Sequence, residues 1–249
     1  MTRQRILITG ASSGLGAGMA REFARKGRDL ALCARRIENL EALRSELLAA
    51  HPGITVAVRG LDVDDHTTVP EVFEELRAEL GGLDRVIVNA GIGKGARIGT
   101  GRADANLATA TTNFVSALAQ AEAAMGIFRQ QQTGHLVLIS SMSAVRGLPG
   151  KKAAYAASKA GVTALGEGLA IELRGTPIKV TTVQPGYIAT DMSGRAGDTK
   201  LLAPLDKGVA SMVAAIEREG VRASVPEWPW RVLGAVMPLL PRGIMARMS

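Results

Sequence analysis

The chain has 249 residues, enough to bury one large core, and its 47% hydrophobic and 21% charged residues are typical of a folded globular protein rather than a disordered one. The net charge of +7 comes from basic residues spread along the chain, and aromatic residues make up only 3%, so nucleic-acid binding is poorly supported. No stretch of about 20 uncharged apolar residues occurs, which excludes a membrane-spanning helix.

Short apolar runs alternate with helical patterns from the N-terminus onward. Strands are predicted at 5–10, 29–35, 54–63, 83–91, 134–141 and 178–186. Helices are predicted at 15–27, 36–50, 65–80, 103–131 and 153–174. This alternation predicts an α/β protein with a Rossmann-like, doubly wound parallel sheet, because parallel strands are joined by helices that cover both faces. No linker interrupts the series, so residues 1–249 are predicted to form a single domain.

A glycine-rich turn joins the first strand to the first helix in the stretch ITGASSGLG. Gly10, Gly14 and Gly16 allow a tight turn and a close approach of the backbone to a pyrophosphate, and the helix N-terminus favours an anion. Ser12 and Ser13 add hydroxyl donors. The turn therefore predicts a dinucleotide site, although the same residues are also consistent with a plain tight turn.

The end of the second strand indicates which dinucleotide is bound. Ala34 stands where a carboxylate would bind the ribose of NAD, and it is followed by Arg35 and Arg36. Arginine suits the 2′-phosphate of NADP. The alternative is a basic start to the next helix. Asp62, which is followed by Val63 at the end of the third strand, either accepts a hydrogen bond from the adenine or caps the next helix.

Several patterns occur together and in order: Thr9-Gly10 to Gly16, Asn89-Ala90-Gly91, Asn113, Ser140-Ser141, Tyr155 to Lys159, and Pro185-Gly186. On these residues the chain resembles the classical short-chain dehydrogenases/reductases from about residue 4 to 191. The resemblance implies an NADP(H)-dependent enzyme that interconverts a carbonyl and an alcohol by hydride transfer, and assembly as a homodimer or homotetramer on the two long helices. A non-catalytic nucleotide-binding or scaffolding protein on the same fold is the alternative.

Tyr155 and Lys159 lie one helical turn apart, and an ammonium there is expected to lower the pKa of the tyrosine. The resemblance implies that Tyr155 exchanges a proton with the substrate oxygen and that Lys159 also binds the nicotinamide ribose. Ser141 is expected to bind the same oxygen and Asn113 to hold a water. The usual spacing before the tyrosine points to Met142, which lacks a hydroxyl, so Ser141 is favoured, with Ser143 as its rival.

The resemblance extends the cofactor site along the strand ends, with Ile188 and Thr190 against the nicotinamide carboxamide. The residues predicted to bind the cofactor are Gly10, Ser12, Ser13, Gly14, Leu15, Gly16, Arg35, Arg36, Asp62, Val63, Asn89, Ala90, Gly91, Tyr155, Lys159, Pro185, Gly186, Ile188 and Thr190. No metal site is expected, because the three histidines share no ligand-like spacing.

The match fades after residue 191. Residues 192–227 are predicted to cover the substrate, and 228–249 form an apolar tail that docks on the core or a partner subunit, lines a substrate pocket, or lies on a membrane surface. The last two alternatives suit a hydrophobic substrate such as a fatty acyl or sterol-like carbonyl. The single Cys33 and the absence of a signal-peptide pattern lead us to expect a cytoplasmic protein, with membrane-peripheral contact through the tail as an option.

Overall fold

The computed structural model describes residues 3–190 and 201–247 and shows one parallel sheet of seven strands in the order β3-β2-β1-β4-β5-β6-β7. The six predicted strands are all present, and a seventh, β7, was not predicted. The strands are β1 Arg5–Thr9, β2 Asp29–Ala34, β3 Val56–Gly60, β4 Arg85–Val88, β5 Gly134–Ile139, β6 Ile178–Pro185 and β7 Arg222–Val225. The predicted Rossmann-like α/β fold in a single domain is confirmed.

Helices connect the strands, and all five predicted helices are found. The helices are α1 Gly14–Arg25, α2 Ile37–Ala50, α3 Val69–Leu80, α4 Ala103–Ala110, α5 Ser116–Gln131, α6 Ala153–Glu172, α7 Leu205–Glu217, α8 Glu227–Val236 and α9 Arg242–Arg247. The long helix predicted at 103–131 is split into α4 and α5 by a π-helical turn at Thr111–Val115. None of the described helices is long and apolar enough to cross a membrane.

The sheet separates two apolar cores. Leucines of α2 and apolar residues of α1 and α7 pack on one face, whereas α3, α5 and α6 cover the other. The strands are buried on both sides, which explains their nearly continuous apolar sequences. Because β1 pairs with both β2 and β4, the strand order reverses beside β1 and opens a crevice at the carboxyl ends of these strands.

The segment beyond residue 200 belongs partly to the sheet layers. Helix α7 packs on the core, and β7 extends the sheet beyond β6. The substrate-covering role of residues 192–227 stays a prediction, and its stretch 192–200 lies outside the described residues.

The tail docks on the chain's own core at the carboxyl ends of the strands. The Trp230 indole is 5% exposed and lies so close to Gly186 that a methyl group there would overlap it. Gly234 packs against Met142, and Arg146 donates to the carbonyl oxygens of Met237 and Pro238. The first of the three alternatives for the tail is therefore realised within the chain itself.

A buried polar cluster lies among strands β4, β5 and β6. Arg85 Nε donates to His135 Nδ1 at 2.8 Å, and His135 Nε2 lies 2.8 Å from the Thr181 hydroxyl. Glu219 accepts from both Arg85 and Arg3. Burial and the two guanidinium groups hold the pKa of His135 well below its usual value, so the imidazole is neutral.

We predict that Trp230→Ala destabilises the protein by about 3 kcal/mol, because it empties a filled site between α8 and Gly186. Leu239→Ala, a large-to-small change in the same tail at a side chain that is 81% exposed, serves as the matched control and should cost less than about 0.5 kcal/mol. Urea denaturation of both variants measures the difference. Equal losses for the two would show that the tail is not anchored through Trp230.

We predict that His135 makes stability depend on pH. Its pKa in the folded state lies below the unfolded value near 6.5, so the unfolded chain binds more protons and stability falls as the pH drops through that value. Between pH 7.5 and 5.5 this single group should cost about 1.4 kcal/mol. His135→Gln should remove that part of the pH dependence in denaturant titrations, whereas His51→Gln should keep it.

Candidate active site

The glycine turn between β1 and α1 forms an open cradle at the crevice. Gly10 has φ +64° and Gly14 φ +54°, backbone conformations that side chains rarely adopt. A Cβ on Gly10 would lie 2.9 Å from the Ala90 Cα atom, and a Cβ on Gly16 would overlap the Gly10 carbonyl oxygen. Leu15 packs against the core between these glycines. The turn therefore depends on glycine for both its conformation and its close contacts.

Thr9 ties the glycine turn to the end of β4. Its hydroxyl accepts from the backbone N–H groups of Asn89 and Ala90 at 3.0 and 3.2 Å. The Asn89 side chain in turn donates to the Thr9 carbonyl oxygen at 2.9 Å. Thr9 was not among the predicted site residues, although its place directly before Gly10, in an otherwise apolar strand, is a signal that could have identified it.

Arg36 reaches across the cradle. Its guanidinium donates to the hydroxyl oxygens of Ser12 and Ser13 at 3.1 and 2.8 Å. Ser13 is the N-cap residue of α1, but its side chain does not cap the helix. Arg35 is exposed beside Arg36. A cation, two hydroxyls and a helix N-terminus thus converge at one place, which is the donor set that a phosphate requires.

Asp62 lies beyond the end of β3 and is exposed. The alternative that it caps the next helix is wrong, because α3 begins after Thr68, which occupies the N-cap position. Instead, the Asp62 carboxylate accepts from the Asp64 backbone N–H at 3.2 Å in a tight turn. Val63 is buried in the core.

Asn113 lies in the π-helical turn and is 1% exposed. Its side-chain oxygen accepts from the Ile92 N–H at 2.8 Å, and its amide donates to the Ile92 carbonyl at 2.9 Å. The amide also reaches the Ser158 hydroxyl at 3.4 Å, one residue before Lys159. Asn113 therefore connects the long helix, the segment after β4 and the catalytic helix candidate α6. A Cβ on Gly91 would lie 3.0 Å from its oxygen and 3.5 Å from Lys159 Nζ.

Ser141 and Tyr155 are brought together as predicted from their positions. The Ser141 side chain lies beside the Tyr155 phenol and acts to lower its pKa, and the Ser141 hydroxyl accepts from the Ser143 N–H at 3.1 Å. Met142 is buried against the tail. Ser141, rather than Ser143, is thus the hydroxyl that meets the tyrosine.

The electrostatics of the Tyr155–Lys159 pair differ from the sequence expectation. Burial raises the pKa of Tyr155, and only the hydrogen bond with Ser141 acts to lower it. Burial also lowers the pKa of Lys159 to about 8, and its Nζ donates to the Ile139 carbonyl oxygen at 2.8 Å. The expected lowering of the tyrosine pKa by the lysine is therefore wrong for the chain alone, because burial raises this pKa and Lys159 is not among the groups that act on it.

Two serines that were not among the predicted site residues bond to the backbone of the helix that carries Tyr155 and Lys159. The Ser140 hydroxyl donates to the Lys159 carbonyl oxygen at 2.9 Å and meets the Thr163 hydroxyl at 2.8 Å. Ser158 donates to the Tyr155 carbonyl oxygen at 2.8 Å. In the sequence, these two serines are marked only by being neighbours of the predicted residues Ser141 and Lys159.

The chain after β6 closes the site from the other side. Pro185 ends β6, and the Gly186 N–H donates to the Val225 carbonyl at 2.8 Å. Ile188 is buried and forms a bridge with Ala203. A Cβ on Gly14 would lie 3.7 Å from the Thr190 methyl group, so this segment faces the glycine turn.

Most of the predicted residues thus lie near the carboxyl ends of β1, β4, β5 and β6, whereas Arg35 and Arg36 follow β2, and Asp62 and Val63 follow β3. Among the described residues, no group of three or more His, Cys, Asp and Glu side chains could hold a metal ion. Cys33 is buried within β2, where burial raises the pKa of its thiol to about 12.

Comparisons with known proteins agree with this arrangement. The family model described as short chain dehydrogenase matches residues 4–201. An uncharacterized oxidoreductase of Mycobacterium tuberculosis (strain ATCC 25618 / H37Rv) is 57% identical over 249 residues, which is 100% of this chain and 98% of that protein.

Solved structures show the same fold. The crystal structure of levodione reductase superimposes with a TM-score of 0.82 at 25% identity, covering 90% of this chain and 96% of that one. The NADPH-dependent 3-quinuclidinone reductase from Rhodotorula rubra gives 0.80 at 26% identity, covering 89% and 88%. The chain therefore belongs to the short-chain dehydrogenase family of oxidoreductases.

Proposed function

We propose that the protein is an NADP(H)-dependent carbonyl reductase that converts a ketone or aldehyde to an alcohol and, in reverse, oxidises the alcohol. The observation that carries the proposal is the position of the Ser141 side chain beside the Tyr155 phenol, with buried Lys159 one turn away from the tyrosine on the same helix. A protein that only binds nucleotide has no use for a buried lysine beside such a pair, because burying a charge is costly.

The residues present fit the cofactor. The cradle of Gly10, Gly14 and Gly16 leaves a space that side chains would fill, and such a space suits a pyrophosphate. Arg36 supports NADP over NAD, because a guanidinium bonded to Ser12 and Ser13 attracts a further phosphate. Asp62 is free of a capping role and is proposed to accept from the adenine. We propose that the remaining residues of the predicted cofactor site, including Asn89, Ile188 and Thr190, also contact NADP(H).

When bound, NADPH supplies the hydride. The chain's own residues supply the proton: Tyr155 donates it to the substrate oxygen, and Ser141 hydrogen-bonds that oxygen as negative charge develops. Lys159, still largely protonated at neutral pH, then stabilises the phenolate that remains. Asn113 is proposed to hold a water that relays a proton toward Lys159. Because burial keeps Tyr155 protonated, the site favours reduction at neutral pH.

The proposal includes a hydrophobic substrate, of a fatty acyl or sterol-like class, and a homodimer or homotetramer. Exposed apolar residues on the long helices, namely Leu107, Val115 and Leu118, support a subunit interface there. The outer face of the tail also exposes Trp228, Val232 and Leu239, which supports an apolar substrate entrance or peripheral contact with a membrane.

We predict that Tyr155→Phe lowers kcat for ketone reduction by about 100-fold or more, because the proton donor is lost. The affinity for NADPH, measured by fluorescence titration, should change little. The only other tyrosine, Tyr187, stacks edge-on against Trp230 at 5.4 Å, and Tyr187→Phe is the matched control that should retain most of the activity.

The outcome against the proposal is tight NADPH binding by the wild type without turnover on any of a panel of ketones, aldehydes and alcohols of graded chain length. That result would favour the nucleotide-binding alternative. Equal loss of activity in the two tyrosine variants would also count against a specific role for Tyr155.

We predict that Arg36→Ala raises the Kd for NADPH by about 10-fold or more and leaves the Kd for NADH nearly unchanged, because one charge-assisted contact to the 2′-phosphate disappears. Arg44→Ala is the control, since that arginine lies on α2 and pairs with Glu41. Arg35→Ala shows whether the neighbouring arginine shares the task. A similar loss for both cofactors would contradict the assignment.

A further inference from the structure

A groove opens beside the start of α6. It has a volume of about 420 Å³ and is lined by Arg97, Ile98, Pro149, Gly150 and Ala153. Ala153 begins the helix that carries Tyr155 two residues later. The groove therefore lies at the start of the helix that carries the candidate catalytic tyrosine, and its lining combines apolar surface with a single charged side chain.

The two loops that form the groove are fastened to each other and to α4. Gly95 lies so close to the Lys151 carbonyl oxygen that a Cβ there would overlap it. The Thr109 hydroxyl donates to the Lys94 carbonyl, and the Asn106 side chain accepts from the Ala96 N–H at 3.0 Å. These contacts fix the backbone of the three residues that precede Arg97.

Unpaired positive charge is concentrated around this groove. Residues 91–103 and 140–166 contain no Asp or Glu. Lys94, Arg97, Lys151 and Lys152 are exposed, and none of them forms an ion pair with any described carboxylate. Several arginines on helix surfaces elsewhere are paired, as in Arg21–Glu46 and Arg129–Glu172. A surface that merely keeps the protein solvated does not require this local absence of acids.

We propose that this groove binds an anionic group, a carboxylate or a phosphate, on the substrate at the end remote from the carbonyl. Arg97 presents the planar donor fork that both groups accept, and the three lysines add a positive potential. Ile98, Pro149 and Ala153 contact the apolar part of the molecule. The inference rests on the proposed reductase function and narrows its substrate to an amphipathic carbonyl compound with a charged end.

The test compares substrates of equal length with the full chain and NADPH: an oxo-fatty acid, its methyl ester and an oxo-alkyl phosphate. At low salt, kcat/KM should be about 10-fold or more higher for at least one anionic substrate than for the ester, and this advantage should shrink as salt is added. The acid and the phosphate arms show which anion fits better.

Arg97→Gln should lower kcat/KM for the preferred anion by about 10-fold and leave the ester unchanged, because one charge-assisted contact is lost. Arg102→Gln is the matched control. It removes a cation from the same loop, but Arg102 is already paired with Asp104, so both substrates should keep their rates. Thermal melts confirm that the variants fold.

Equilibrium binding separates the groove from the chemistry. Titration with a fatty acid and its methyl ester, which lack the reacting carbonyl, should show preference for the acid that Arg97→Gln abolishes. If the protein binds the acid more tightly than the ester but turns over none of the substrates, the anion site in the groove would be supported and the reductase proposal would be wrong. The proposed anion site would be wrong if the ester and both anions had equal kcat/KM. It would also be wrong if Arg97→Gln lowered kcat/KM equally for all three substrates.

Discussion

The fastening of β1 to β4 by Thr9 is the constraint on which the site depends. The two strands run side by side at the point where the strand order reverses, and one hydroxyl accepts both N–H groups that follow β4. This contact leaves no room for a side chain at Gly10, whose backbone must also adopt a positive φ. The glycine cradle and the end of β4 therefore form one rigid unit, against which any dinucleotide must fit.

Asn113 likewise fastens two segments of the chain together, the long helix and the segment after β4. Its amide bonds both polar groups of the Ile92 backbone, and a π-helical turn widens the helix where it does so. Such turns interrupt the regular helical bonding and tend to occur at functional sites. Lys159 lies next to this junction and is 5% exposed, and its ammonium group donates to the Ile139 carbonyl oxygen. The cost of that burial is visible as the lowered pKa of the lysine.

The sequence was sufficient for strands β1 to β6 and for the meeting of Ser141 with Tyr155, because hydrophobic period, glycine turns and residue spacing are local properties. It was insufficient for β7, whose four residues, Arg222–Val225, carry too little pattern and pair only because β6 lies beside them. The sequence also could not predict the direction of the Tyr155 pKa shift, since desolvation depends on the atoms that surround the phenol in space. The sequence allows two roles for Asp62, and the structure excludes one of them because Thr68 is the N-cap of α3.

The distribution of positive charge also depends on spatial contacts that the sequence does not reveal. Along the chain the basic residues form no run, which argues against a nucleic-acid surface. In space, however, the loop with Lys94 and Arg97 lies against the loop with Lys151 and Lys152, because Gly95 allows the two backbones to touch. More than 50 residues of chain separate these loops in sequence. A moderate excess of +7 thus becomes locally strong at the start of the helix that carries Tyr155, where the proposed anionic end of the substrate would bind.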